Sequence, residues 1–115
     1  MELPRDALLL RIFIGEKDEY QGQPLFRALV LKAREMHLAG ATVFRGPMGF
    51  GRSSHVHTSG ILRLSFDLPM VIEIVDTEEK IESFLAQIES IIGSGLVTVE
   101  RVQAIIYKAR EASPG

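Results

Sequence analysis

Apolar and polar positions fall into blocks whose period changes along the chain. Ala7–Ile14 (ALLLRIFI) is an almost unbroken apolar run interrupted only by Arg11, the pattern of a central strand covered on both faces. The next eight residues, GEKDEYQG, carry four charges and two glycines and predict an exposed connection. Pro24 suits the first turn of a helix, where its missing N–H has no intrahelical partner to lose, so a helix is predicted from about Gln23. Leu25, Ala28, Leu29, Ala33 and Met36 recur at three- and four-residue steps. Phe26 and Val30 widen this apolar face, and Arg27, Arg34 and Glu35 lie opposite it. Gly40 is read as the left-handed cap that ends this helix.

From Ala41, ATVF has the β-branched and aromatic content of a strand. ILRLSF alternates loosely and is broken by Asp67-Leu68-Pro69 before a second strand, MVIEIV. Asp76 is positioned to cap the following helix, with Glu79 completing a capping box. Ile81, Phe84, Leu85, Ile88 and Ile92 form the apolar stripe of that helix, and Gly93 and Gly95 end it. LVTVERVQAIIY reads as a last strand through Tyr107. The order is strand, helix, strand, strand, helix, strand: an α+β, ferredoxin-like βαββαβ domain over residues 1–115, with residues 1–6 a short leader and 108–115 a flexible tail. Right-handed crossovers place both helices on one face of the antiparallel sheet. Leu8, Leu10, Ile12 and Ile14 then point one way, and Leu9, Arg11 and Phe13 the other. The second set needs a cover, which a homotrimer with its sheets packed inward supplies.

Composition adds limits. Hydrophobic residues make up 46% of the 115 positions and charged residues 24%, the balance of a globular domain. Thirteen basic against fifteen acidic side chains argue against generic nucleic-acid binding. The absence of cysteine excludes disulfides, thiolate metal sites and a cysteine nucleophile, and fits a cytoplasmic protein. The apolar run at Ala7–Ile14 is far shorter than the roughly 20 residues of a membrane span, so no membrane insertion is expected.

Against this mildly acidic background, the window RGPMGFGRSSHVHTSGILRLSF from Arg45 to Phe66 stands out. It holds Arg45, Arg52, Arg63, His55 and His57 and no acid, and the nearest carboxylates are Glu35 and Asp67. Gly46, Gly49 and Gly51 spell G-x-x-G-x-G, without the Lys-Ser/Thr of a Walker A loop or the helix that follows a dinucleotide fingerprint. Two readings stand: successive backbone N–H groups cradle a phosphate, or the glycines let a strand bulge as it leaves the sheet. Arg45 and Arg52 are candidates for bidentate phosphate contacts, against solvated charges or a salt bridge across a subunit boundary. Arg63, between Leu62 and Leu64, is read as pointing outward.

His55 and His57 fall on one side of an extended segment and are the candidate pair for zinc or copper, but with no neighbouring carboxylate to complete the site the favoured reading is a polar loop role or phosphate contacts. His37 suits the C-terminal end of the first helix dipole. Lys17, between Glu16 and Asp18, either reaches a ligand at a subunit cleft or is solvated. Glu73, inside MVIEIV, either turns to a solvent edge or pairs with a basic residue such as Arg11. With no carboxylate in the window for general-base work and no Ser-His-Asp order, the chain is not expected to be an enzyme.

Gly15-Glu16-Lys17-Asp18, Pro24-Leu25-Phe26, the stretch Arg45-Gly46-Pro47-Met48-Gly49-Phe50-Gly51, Asp67-Leu68-Pro69 and Glu73-Ile74-Val75-Asp76 carry a resemblance over about Leu9 to Tyr107. The chain resembles the PII-like family of uncharacterised proteins, a domain-of-unknown-function group in the superfamily of nitrogen-regulatory PII proteins and CutA cation-tolerance proteins. The resemblance implies a trimer that binds an adenine nucleotide (AMP, ADP or ATP) at clefts between subunits, with no cofactor required. It also implies a loop, here residues 46–60, that changes conformation to control a partner such as a membrane transporter. Carried onto this chain, it points to Arg45, Gly46, Gly49, Gly51 and Arg52, with Lys17 nearby, as nucleotide-binding. The alternative is a CutA-like divalent metal-binding protein using His55 and His57. No tyrosine lies between Tyr20 and Tyr107, so the tyrosine modification of the PII loop is not expected.

Overall fold

The computed structural model describes residues 5–48 and 67–105. Most of the basic window, including the strand read into ILRLSF, lies outside the described residues, as do the residues before Arg5 and after Ile105. The apolar run becomes β1 (Arg5–Gly15). A two-residue ladder of β2 (Glu19–Tyr20) and β3 (Gln23–Pro24) follows, then α1 (Leu25–Glu35) and β4 (Thr42–Arg45). β5 (Pro69–Asp76), α2 (Glu78–Ile92) and β6 (Leu96–Ala104) complete the described chain. The main sheet is antiparallel, in the order β4-β5-β1-β6. Apart from the small β2–β3 ladder, this is the predicted βαββαβ arrangement with two helices on one face.

The register explains the core. Leu10, Ile12 and Ile14 stand opposite Ile74, Ile72 and Met70, and cross-strand partners share a face of the sheet. These six side chains are buried with Leu25, Leu29 and Ala33 of α1 and Ile81, Phe84 and Ile88 of α2. Burying one such aliphatic or aromatic side chain contributes about 1.5–3 kcal/mol, so the inner face of β1 and β5 holds both helices down.

The ends of the helices differ from the sequence expectations. Gln23 pairs with Tyr20, so α1 starts at Leu25, whose N–H donates to the Asp18 carbonyl at 2.7 Å. Pro24 is the residue before the first turn rather than the first helical residue. At the other end, His37 takes the left-handed conformation (φ 60°). Leu38 N–H donates to the Ala33 carbonyl at 3.0 Å and His37 N–H to the Arg34 carbonyl at 3.1 Å, which is a Schellman closure. Gly40 lies beyond it with no positive φ. The chain reverses at His37 because Leu38 packs against the core there.

Thr77, not Asp76, caps α2, its side chain accepting from Lys80 N–H at 3.3 Å. Asp76 is still in β5, opposite Leu8. Its carboxylate accepts from Thr77 N–H at 2.7 Å and from Ala39 N–H at 2.8 Å, bracing the α1–β4 connection instead. The cap's shift by one residue puts Lys80 where the capping box needs an acid, so Glu79 plays no part in one.

On the opposite face, Leu9, Phe13, Val71, Val75, Leu96 and Phe44 share one side by register, with Val75, Leu96 and Phe44 exposed. In their midst Arg11 Nε donates to Glu73 Oε2 at 2.8 Å, and its Nη1 to Glu100 Oε1 at 3.1 Å. Glu73 therefore takes the paired alternative, and the Glu73 hydrogen bond, helped by Glu100 and opposed by burial, raises the Arg11 pKa above its usual range. Among the described residues no helix is long and apolar enough to cross a membrane.

If His37 bears the left-handed turn, His37→Gly stabilises the fold by about 1 kcal/mol. Gly40→Ala, with open space around its Cβ, changes stability by less than about 0.5 kcal/mol. Urea unfolding of the two variants checks this, and the reverse ranking would reassign the cap.

Candidate functional site

The basic window leaves and rejoins the sheet at one end, where β1 and β4 finish and β5 begins. β1 closes in a turn: Asp18 N–H donates to the Gly15 carbonyl at 3.2 Å, and Gly15 N–H to Asp18 Oδ2 at 2.9 Å. This turn is tied to the strand that returns from the window. Glu16 N–H donates to the Leu68 carbonyl at 2.7 Å and Lys17 N–H to Asp67 Oδ1 at 3.1 Å. The outgoing stem is tied as well, because Gly46 N–H donates to the Pro69 carbonyl at 2.7 Å. Residues 67–69 thus join both the β1 turn and the end of β4.

Two glycines are required by close approach. A Cβ on Gly15 would lie 2.6 Å from Asp67 Oδ1, and one on Gly46 would lie 2.6 Å from Pro69 Cγ. A larger residue at Gly46 has to displace the Pro69 ring, and one at Gly15 the Asp67 carboxylate that clamps the turn. The exposed Arg45 side chain reaches across this junction to Glu16: Nε pairs with Oε2, and Nη2 donates to Oε1 at 3.2 Å. Arg45 is 59% exposed at the side chain and Glu16 27%, so solvent screens the pair and its contribution to stability is small. The contact is a two-pronged one between a planar guanidinium and a carboxylate, which fixes direction as well as distance.

Of the candidate nucleotide residues, the structure brings Arg45, Gly46 and Lys17 to this junction. Gly49, Gly51 and Arg52 lie outside the described residues, as do His55, His57 and Arg63. Sequence reasoning missed two participants. Glu16 is the in-chain partner of Arg45, in place of the solvated charge or intersubunit bridge considered above, and Asp67 clamps the β1 turn. Asp67 was visible as the first carboxylate after the acid-free window; no sequence signal pairs Glu16 with Arg45.

Chemically, the junction carries donors of the kind that suit an anion. Of the five Arg45 guanidinium donors Glu16 engages those on one edge, and the others are of the kind that pairs with carboxylate or phosphate oxygens, while the Gly46 N–H is taken by the Pro69 carbonyl. Among the described residues no group of three or more His, Asp or Glu is arranged to hold a metal ion. A groove of about 340 Å³ lined by residues including Leu8, Ile81, Leu85 and Val99 runs between α2 and β6, away from this end.

The sequence profile of the DUF190 family, described as uncharacterized ACR, matches residues 7–104. A UPF0166 protein of Aquifex aeolicus is 41% identical over 97 residues, covering 84% of this chain and 91% of its own. A UPF0166 protein of Methanocaldococcus jannaschii is 33% identical over 94 residues, covering 81% and 86%. Among solved structures, the CPII protein of Thiomonas intermedia K12 bound to ADP, AMP and acetate superposes with a TM-score of 0.65 at 16% identity, over 91% of this chain and 94% of that one. The fold is therefore PII-like.

The close approach at Gly46 predicts that Gly46→Ala destabilises the protein by about 1–3 kcal/mol, read as a lower denaturant midpoint. An unchanged midpoint would show that the stems have room to spare.

Proposed function

The chain belongs to the DUF190 family of uncharacterized proteins, and on that premise we propose that it is a PII-like regulatory protein that binds an adenine nucleotide. The observation that carries the reading is the convergence of Arg45, Gly46 and Lys17 at the root of an acid-free window. The ADP and AMP bound by the Thiomonas protein support the choice of ligand class. Arg45 and Arg52 contact the phosphates, the backbone N–H groups of Gly49 and Gly51 cradle them, Gly46, whose own N–H is held by the Pro69 carbonyl, shapes the start of the cradle, and Lys17 adds a third positive charge. The site binds its nucleotide and does not turn it over.

The nucleotide acts on the loop of residues 46–60. Both stems are tied to residues 67–69 and to the β1 turn, so contacts at the root bias the loop toward one state. A ligand shifts a loop only as far as it binds one state better than the other, and phosphate contacts from Arg45 and Arg52 supply that difference. The loop then presents or withholds a surface from a partner, with a membrane transporter as the partner class. Calorimetric titration with ADP is expected to saturate at one site per chain. Arg45→Ala, losing a charge-assisted bidentate contact, weakens binding about 10-fold or more. Absence of binding by AMP, ADP and ATP alike overturns the nucleotide reading.

The apolar sheet face supports assembly as a homotrimer with the three faces turned inward and the ligand clefts between subunits, and the lack of cysteine supports a cytoplasmic setting for it. Sedimentation equilibrium is expected to give three times the chain mass of 12.8 kDa. Phe13→Glu, which puts an unpaired charge on that face, is expected to yield folded monomers with unchanged helical circular dichroism. A monomeric wild type would show that the face is covered some other way.

A further inference from the structure

Glu16 approaches Arg45 along one edge only. Its two oxygens meet Nε and Nη2, the side-on edge of the guanidinium, while Nη1 and the second N–H of Nη2 form the other edge. Glu16 is itself fixed, its N–H donating to the Leu68 carbonyl and its side chain less exposed than that of Arg45. The arginine is thus held at both ends, by Gly46 N–H on the Pro69 carbonyl next to its backbone and by Glu16 at its tip.

We propose that Glu16 is a positioning residue that fixes Arg45 so that its end-on edge faces the phosphate of a bound anion. The proposal rests on the nucleotide reading above. Two effects of Glu16 oppose each other. A free arginine loses much rotamer freedom when it grips a ligand, and a carboxylate that already holds it removes most of that loss. Against this, a carboxylate beyond the guanidinium repels the incoming phosphate. In a solvent-exposed site that repulsion is weak at such separations, so positioning prevails, and Glu16→Ala weakens binding by about 3- to 10-fold.

The test combines two readouts. In the ligand-free protein, the Arg45 Nε–H cross-peak in a ¹⁵N correlation spectrum is protected from solvent exchange by Glu16 and is lost in Glu16→Ala. Calorimetric titrations with ADP then compare wild type, Glu16→Ala, Glu16→Asp, Arg45→Ala and the Glu16→Ala/Arg45→Ala double variant. The expected result is weaker binding in Glu16→Ala, partial recovery in Glu16→Asp, and no further loss when Glu16→Ala is added to Arg45→Ala. A cross-peak unaffected by Glu16→Ala overturns the proposal. So does tighter ADP binding in Glu16→Ala, which would make Glu16 a competitor for the arginine. A loss that adds to that of Arg45→Ala also overturns it, as it marks a general role in the turn. If wild type binds no ADP, the nucleotide reading falls alone, and the same comparison is made with inorganic pyrophosphate, where indifference to Glu16→Ala overturns the positioning role.

Discussion

With β5 on one side and β6 on the other, β1 has its backbone hydrogen bonds met along nearly its whole length, and its side chains have only the two faces of the sheet to go to. On the inner face Leu10 and Ile12 are completely buried, and both helices are anchored there through contacts that cannot be exchanged for water without losing the hydrophobic term that drives folding. Because side chains alternate, the same strand delivers Leu9, Arg11 and Phe13 to the outer face. A slip of one residue would exchange the two sets. The register of β1 therefore sets the core and the outer face together, and it also fixes where the strand runs out, at Gly15.

That end point is what makes the junction. Having left the sheet at Gly15, the chain turns within four residues, and its N–H groups at Glu16 and Lys17 are taken up by Leu68 and Asp67. The apolar anchor along β1, which reaches Ile14, thus continues into a hydrogen-bonded frame at the end of the strand, against which the two stems of the acid-free window are held. Binding residues on loops depend on such frames. Glycine at position 46 follows from the same frame, since a Cβ there would run into the Pro69 ring, and at position 15 a Cβ would meet the Asp67 carboxylate.

The outer face shows the opposite compromise. Arg11 is flanked by Glu73 and Glu100 on the neighbouring strands, and with Thr98 and Thr42, which stand opposite Arg11 and Glu73, they form a polar line across a surface that is otherwise mostly leucine, valine and phenylalanine. Paired charges in such a position contribute little to stability while solvent reaches them, and a second surface laid over them has to keep each one paired. The face combines apolar area that favours association with a polar feature that restricts how a second surface lies on it.

By itself the sequence determined what depends on near neighbours. The apolar run of β1, the stripes at Leu25–Ala33 and Ile81–Ile88, the Asp67-Leu68-Pro69 break and the acid-free window follow from period and composition, which neighbouring positions express directly. They gave the element order, the covered face and three residues of the junction. Only the tertiary structure decided that His37 rather than Gly40 turns the chain, since Leu38 has to reach the core there, and that Thr77 caps α2 while Asp76 reaches back to Ala39. The pairing of Arg45 with Glu16, 29 positions away in the chain, was likewise decided by how two strand ends meet. Such contacts form between segments brought together by the sheet, and local preference, which acts over about one helical turn, carries no information about them.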